Sequence, residues 1–389
     1  MHPAGDVVIS RKGEARVERG HPWIFRSDVV RAEGVEPGAV VRVAGTRLGP
    51  MGFAFWSDRS EIRLRLIQRG AALSPSWLTE RLRAAIGWRR AVAKEAMALR
   101  LVHGEGDGLP SLVVDRYGPY LVIQTLSQAT ERLKPQIVER LVSELKPEGI
   151  FERNDPRVRL LEGLEQRTGL LHGTVPGTVV VDEGGVQFEA DLIHGQKTGL
   201  FLDQRENHLM ARGYARGRVL DAFTYNGGFA LHVAPVADSV LALDVSEDAV
   251  ARVRHNAELN GITNVATRTG NAFDVLHELV KAGERFDTVI LDPPAFAKSR
   301  DAVEKAVRGY KEINLRALSL LRPGGILITC SCSYHVHEDD LEGILASAAA
   351  DAGVTATIVE KRRQGRDHPV VLGVPETYYL KCFVLRRLA

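Results

Sequence analysis

Cysteine is scarce, with three among 389 residues. Cys330, Cys332 and Cys382 cannot build a disulfide framework and lack the paired spacing of a zinc site, which excludes a cross-linked secreted scaffold and a cysteine-based metal module. No run approaches the ~18 uninterrupted apolar residues of a membrane helix, so a helical membrane protein is excluded. A basic-then-apolar leader is missing after Met1, and the expected place of work is the cytoplasm. A dominant charge is missing as well: 51 Lys and Arg against 49 Asp and Glu leave +2, from which no argument for nucleic acid follows. Internal repeats and low-complexity tracts are absent too. The cations are nonetheless 40 Arg to 11 Lys. Guanidinium groups suit bidentate phosphate contact, but a codon bias toward Arg produces the same excess.

What is present is the balance of a globular protein, 44% apolar and 26% charged residues. At roughly 100–200 residues per domain the length predicts two or three domains, and the pattern along the chain divides at about residues 70 and 180. Residues 1–70 read as all-β: Asp6–Ile9, Ala39–Val43, Met51–Trp56 and Ile62–Ile67 are short β-rich stretches between Gly and Pro punctuation. A small barrel or sandwich fits them. This segment holds 12 Lys and Arg against 8 Asp and Glu, interleaved with Trp23, Phe25, Phe53 and Trp56. Those aromatics serve either base stacking beside phosphate contacts or the packing of a core.

Residues 71–180 read as a compact α/β module. A helix opens after Pro75 and runs over Trp77–Lys94, a strand pair turns at Arg116–Pro119, a second helix lies near 130–145, and a hairpin spans Val179–Phe188. Residues 181–389 alternate strands with helices. The strands are Arg218–Phe223, Ser239–Val245, Phe286–Asp292 and Gly325–Thr329, and Ser246 caps a helix that Gly261 stops. Apolar strands with helical crossovers predict a doubly wound, Rossmann-like parallel sheet, whose ligand crevice lies at the strands' carboxyl ends.

Acidic and glycine residues collect at that end. Asp221 closes the first strand and leads into Ala222–Phe229, a turn whose adjacent Gly227 and Gly228 let backbone approach a ligand closely. The three spaced glycines of a dinucleotide site are missing. Asp244 follows 23 positions later, at the end of the second strand, where a carboxylate accepts both ribose hydroxyls of an adenosine. Nucleoside binding without a pyrophosphate cradle points to S-adenosylmethionine. Asn271, where the next strand should end, is placed for the adenine edge.

After the fourth strand comes Asp292-Pro-Pro-Ala-Phe296, in which the prolines fix the backbone and Phe296 is placed to stack on a base. A rigid turn is the alternative. Cys330 and Cys332 follow the fifth strand, Cys332 nearer the open end. Carbon 5 of a pyrimidine is not nucleophilic until something adds at carbon 6, and a thiolate does this well. Cys332 and Asp292 are therefore the expected catalytic pair, Asp292 holding a proton toward ring nitrogen 3, while Cys330 is read as core packing.

These residues resemble a known family, the class I S-adenosylmethionine-dependent large-subunit rRNA cytosine-5 methyltransferases with an N-terminal PUA domain. The resemblance runs end to end, through His21-Pro-Trp-Ile-Phe25, Glu105-Gly-Asp-Gly-Leu-Pro110, Gly195–Asn207, Phe223–Phe229, Asp292–Phe296, Gly309–Asn314, Ser331-Cys-Ser333 and Asp367-His-Pro369. It implies that residues 1–70 are a PUA RNA-binding domain, that Cys332 is the nucleophile and that the partner is 23S rRNA, naked or in a precursor particle; a homodimer would be ordinary. It adds Phe201 and Arg205 to a cofactor set of Asp221, Phe223, Tyr225, Gly227, Gly228, Asp244, Val245, Asn271, Ala272 and Asp292. One departure concerns the wider RNA cytosine-5 pattern, in which a second cysteine in the Asp-Pro-Pro loop helps release product; none lies between Asp287 and Ser299. The base that takes the carbon 5 proton stays open among His335, His337, His368, Lys311 and Tyr310. Two rivals are a guanine or exocyclic-amino methyltransferase on the same fold, and a non-catalytic RNA-binding protein.

Overall fold

The computed structural model describes residues 3–297 and 300–388. The chain forms two compact units. The first holds the residues up to Val181 with Glu189–Leu202 and Arg366–Thr377, and the second holds Asp182–Phe188, Asp203–Gly365 and the residues from Tyr378 onward.

In the first unit a six-stranded sheet runs in the order Trp23–Phe25, Ile62–Arg69, Gly49–Trp56, Val40–Gly45, Asp6–Ile9, Val29–Ala32. Asp6–Ile9 pairs parallel to Val40–Gly45, and the other pairs are antiparallel. Residues 1–70 are not all-β, because an eight-residue helix, Arg11–Glu18, interrupts them. Ser10 caps it by accepting from the Gly13 amide at 3.3 Å, and its buried positions are Gly13, Glu14 and Val17. A buried glycine and a buried glutamate give no apolar period, so nothing in the hydrophobic pattern announces this helix.

Strand alternation gives this sheet two buried faces. Ala54 packs with Val7, Ile9, Ile24, Val41 and Leu64 on one side. Phe53 and Phe55 pack on the other with Trp77, Leu82, Leu101, Ile123 and Ile137. Their partners come from the helices Trp77–Val92 and Gln128–Leu145 and from the five-stranded sheet of Ala98–His103, Leu112–Tyr117, Tyr120–Thr125, Gly149–Asn154 and Arg167–Gly173. Residues 1–70 and the α/β segment after them thus share a core. Of the interleaved aromatics, Phe53 is core; the Trp23 indole donates to Glu105 at 2.8 Å. Guanidinium groups lie over the other two, Arg16 on Phe25 and Arg63 on Trp56.

The second unit is built on a seven-stranded sheet in the order Val265–Thr269, Ser239–Asp244, Arg218–Ala222, Phe286–Leu291, Leu321–Ser331, Lys381–Arg387, Ala356–Arg363. The first five strands are parallel; Lys381–Arg387 runs antiparallel between Leu321–Ser331 and Ala356–Arg363, so the edge strand Ala356–Arg363 again points the way of the first five. Helices cover both faces, giving two cores, one around Leu276, Ile313 and Leu345 and the other around Val233, Val253 and Ile290. Arg218–Ala222 has parallel neighbours on both sides, so the strand order reverses there and opens a crevice at the carboxyl ends.

Candidate active site

The turn after Arg218–Ala222 departs from ordinary backbone. Phe223, Tyr225 and Gly227 all take positive φ, at +66°, +51° and +89°. For a phenylalanine and a tyrosine this costs on the order of 1 kcal/mol or more each and persists only where neighbours hold it. They do: the Thr224 amide donates to Leu243 O at 3.0 Å, the Tyr225 amide to Asp244 Oδ2 at 2.9 Å, and the Gly227 amide to Thr224 O at 2.9 Å. Gly228 leaves no room for a side chain, since a Cβ there would meet the His208 ring at 2.6 Å.

Asp221, at the end of that strand, is fully buried. Its Oδ2 accepts from the Thr224 hydroxyl at 2.6 Å and the Ala230 amide at 3.0 Å, and its buried Oδ1 has no partner. Burial, with the nearby Asp292 charge, pushes its carboxyl up to about 7. Asp292 is fixed by Gln204, whose Nε2 donates to Oδ1 at 2.8 Å, and by its own amide to Ala222 O at 3.3 Å. Arg205 opens the helix Arg205–Ala211 and is buried, its Nε and Nη2 lacking hydrogen-bond partners; Glu206 Oε1 stands 3.7 Å from Nη2.

Asp244 receives the Tyr225 amide on one oxygen and the Ser246 amide at 3.0 Å on the other. Each oxygen keeps a further lone pair for a ligand. Beside it Val245 is 71% exposed, a bare apolar surface next to a carboxylate. Asn271 is exposed and caps the helix Ala272–Lys281 through the Phe273 amide at 3.0 Å, and Ala272 is buried behind it. Phe201 belongs to the first unit, where the Lys197 ammonium lies 4.3 Å from its ring.

Phe296 is not a bare stacking platform: it packs against Tyr310 at 4.7 Å, Phe273 at 5.8 Å and Phe223 at 6.4 Å between ring centres. Tyr310 is buried, its hydroxyl 2.9 Å from Ser333 Oγ, which also accepts the Ala297 amide. The three thiols differ sharply. Cys330 and Cys382 face each other across the ladder, fully buried, and burial pushes the Cys330 thiol far up. Cys332 lies just past the strand, partly exposed, with Sγ 3.8 Å from Pro293 O, against the loop that carries Asp292.

Among the candidate bases, His368 sits in the first unit, buried against Asp367 and His103. Lys311 is paired with Asp351 at 2.7 Å. His335 packs on Tyr334, and His337 precedes the helix Glu338–Asp351, its amide donating to Asp340 at 2.9 Å. Gln204 and Lys381 were missed by sequence reading. Lys381 left one signal, a charge inside the apolar run Leu380–Leu385, where strand alternation leaves little access to water.

Glu183, His208 and His232 bring three ligand-type atoms within 4.8 Å of one another, all buried. His208 Nδ1 and Glu183 Oε1 are 2.7 Å apart, shorter than the roughly 3.3 Å edge of a tetrahedron with ~2.0 Å bonds, and the pair is a hydrogen bond. The His232 nitrogens meet Gly228 O at 2.7 Å and Glu183 O at 2.8 Å. This buried set braces the glycine turn from below.

Comparison with known proteins agrees with this arrangement. Residues 117–375 match a family model for S-adenosylmethionine-dependent methyltransferases, and residues 7–69 match a PUA-like domain. A protein of Tolumonas auensis named ribosomal RNA large subunit methyltransferase I is 38% identical over 98% of this chain and 99% of its own length. One of the same name from Aeromonas salmonicida is 38% identical over 98% of both. Two solved structures share the fold at 19% identity, covering 98% of this chain and 99% of theirs. One is named as a methyltransferase complexed with SAH, with a TM-score of 0.84, and the other as a SAM-dependent methyltransferase from Streptococcus mutans, with 0.82. With a doubly wound sheet, a strained glycine turn and end-to-end likeness to these relatives, the chain belongs to the S-adenosylmethionine-dependent methyltransferases that carry an N-terminal PUA-like domain.

Proposed function

We propose that this protein methylates carbon 5 of a cytosine in large-subunit ribosomal RNA, with Cys332 adding to carbon 6 of the base. The observation that carries this reading is the position of Cys332, partly exposed past a parallel strand and against the Asp292 loop, while the other two thiols are buried. The name shared by the relatives supports rRNA as substrate.

The residues present fit the cofactor. Arg205 holds buried donors and Asp221 a buried acceptor without hydrogen-bond partners, suited to the charged amino-acid end; Asp244 would take the ribose hydroxyls, and the exposed Val245 and Asn271 the adenine. S-adenosylmethionine supplies an electrophilic methyl group when bound. The Cys332 thiolate forms a bond to carbon 6 and sends the 5,6 π pair toward carbon 5, which becomes nucleophilic. Asp292, once it has taken a proton from solvent, donates to ring nitrogen 3 and steadies the charge that builds there. Once carbon 5 carries the methyl group, a base takes its proton, the electron pair left behind restores the double bond, and the same thiolate leaves. In this reading residues 1–70 hold RNA, through a cleft lined by Arg26, Trp56, Asp58 and Arg63, residues 71–180 form a central module, and the chemistry lies within 181–389.

Incubation with ribosomal RNA and labelled cofactor, followed by nucleoside mass spectrometry, tests the reading. Labelled 5-methylcytidine is the expected product. A methylated guanosine or an N4-methylated cytidine would replace it with the rival chemistry.

A further inference from the structure

We propose that the Lys381 ammonium is a positioning group for Cys332, holding its sulfur as the thiolate; this rests on the reading of Cys332 as nucleophile. Lys381 opens the strand Lys381–Arg387 and stands opposite Ser331 in the ladder. Its side chain is buried, the residue 1% exposed, and Nζ donates to Ser333 O at 2.7 Å and Tyr379 O at 3.0 Å. The Lys381 backbone is thereby held opposite the residue before Cys332, and its ammonium is held at the residue after Cys332 by its own hydrogen bond. A lysine is seldom buried so completely, because its stem normally lets the charge reach water.

Burial lowers the Lys381 ammonium to about 8, and the groups facing it push the other way: Cys332 first, then Asp340 and Glu338 on the helix Glu338–Asp351. Both carboxylates have other partners. Glu338 takes the Tyr378 hydroxyl at 2.6 Å and Lys361 at 3.2 Å, and Asp340 takes the His337 amide. Tyr310 also feels Cys332 and stays neutral, since burial raises its phenol. Carbonyl oxygens carry no formal charge to balance the ammonium, whereas a thiolate does. A positive charge held beside a thiol favours the thiolate, the form that attacks carbon 6. The proton released goes to solvent, and no electrons change hands.

The full-length protein is alkylated with iodoacetamide across pH 5.5–10, and labelling at the Cys332 peptide is followed by mass spectrometry; the buried Cys330 and Cys382 serve as internal controls. Wild-type Cys332 should titrate at least about one unit below the ordinary thiol value of ~8.5. Lys381→Met should return it to that value or above, slowing labelling at pH 7 about tenfold, and Lys381→Arg should restore most of the rate. A wild-type thiol titrating at or above ~8.5, or one that Lys381→Met leaves unmoved, overturns the proposal. Should Lys381→Met fail to fold, the wild-type titration and Lys381→Arg decide. Thiol titration needs neither RNA nor methyl transfer, so it separates this coupling from the proposed activity: a shifted thiol without 5-methylcytidine refutes the activity alone, and 5-methylcytidine with an ordinary thiol refutes the coupling alone.

Discussion

Two regions of this protein bury charge, and they treat it differently. In the first unit, Arg89 bridges Asp107 through both arms, donates to Asp367 O at 2.7 Å and to Arg100 O at 2.9 Å, while Arg100 grips Asp115 at 2.8 and 2.9 Å. Thr198 closes the knot with a 2.6 Å bond to Asp115. In the second unit Asp221 and Arg205 are as deeply buried, yet Asp221 Oδ1 and Arg205 Nε and Nη2 have no hydrogen-bond partner, and the ion pair of Arg205 with Glu206 is 3.7 Å long. Both regions are built from motif residues, Glu105–Gly108 and Asp367–Pro369 in one and Asp221–Gly228 in the other. A motif therefore does not tell scaffold from site; what separates this knot from this site is hydrogen-bond completeness, although single atoms elsewhere in the first unit, Asp28 Oδ1 and Arg116 Nε among them, are also buried without a hydrogen-bond partner. A buried polar group without a partner is costly, and a ligand is one way to complete it.

The largest effect expected from this contrast lies in the knot. Arg89→Met leaves Asp107 buried without its cation and should destabilise the first unit by about 3–5 kcal/mol in urea unfolding, with cofactor affinity of the folded protein within about twofold. A loss below about 1 kcal/mol would remove the knot from the scaffold.

A smaller effect concerns Asp221. Its carboxyl, raised from 3.8 to about 7, keeps in the folded state a proton that the unfolded chain gives up. Folding then binds the extra proton, so stability falls as pH rises from about 4 through 7 and levels off beyond. Asp221→Asn cannot titrate, and its unfolding free energy should be flatter than wild type between pH 5 and 8; parallel profiles would show that Asp221 is ionised throughout. Next comes Asp244→Ala, expected to weaken S-adenosylmethionine binding at least about tenfold by calorimetry, since charge-assisted hydrogen bonds are worth about 1.5–3 kcal/mol each. Unchanged affinity would move the adenosine elsewhere. The smallest is Arg63→Ala, which should weaken binding to RNA a few-fold and reduce the salt slope by about one. An unaltered slope would take the Arg63 cleft out of the RNA surface. Deleting residues 1–70 is the poorer experiment, because Phe53, Phe55 and Ile67 belong to a core shared with the next segment.

Legibility in the sequence follows the range of the forces involved. The parallel strands are readable because burial on both faces writes continuous apolar runs, and the Ser246 cap because one side chain and one turn decide it, the hydroxyl accepting from Ala249 at 3.2 Å. The strand-end positions of Asp221, Asp244 and Asn271 follow from those runs. Hidden features depend on distant partners. Arg366–Thr377 joins the first unit through Arg366 O accepting from Trp88 at 3.1 Å and Glu376 meeting His21 at 3.2 Å, contacts that no local pattern foretells. Positive φ at Phe223 and Tyr225 runs against their intrinsic preference and is imposed by Leu243 and Asp244. A base for the proposed chemistry is hidden for the same reason; His368 lies in the first unit, against Asp367 and His103.

The central claim is that Cys332 joins covalently to the base. RNA containing 5-fluorocytosine at the target cannot lose hydrogen from carbon 5, so an enzyme that adds at carbon 6 and transfers methyl stays attached. Incubating it with S-adenosylmethionine and wild-type protein should give a protein–RNA adduct stable to denaturation, mapped to the Cys332 peptide. Cys330→Ala should form it as well, and Cys332→Ala should form none while binding cofactor normally. An adduct with Cys332→Ala, or methyl transfer by that variant at the wild-type rate, would contradict the account.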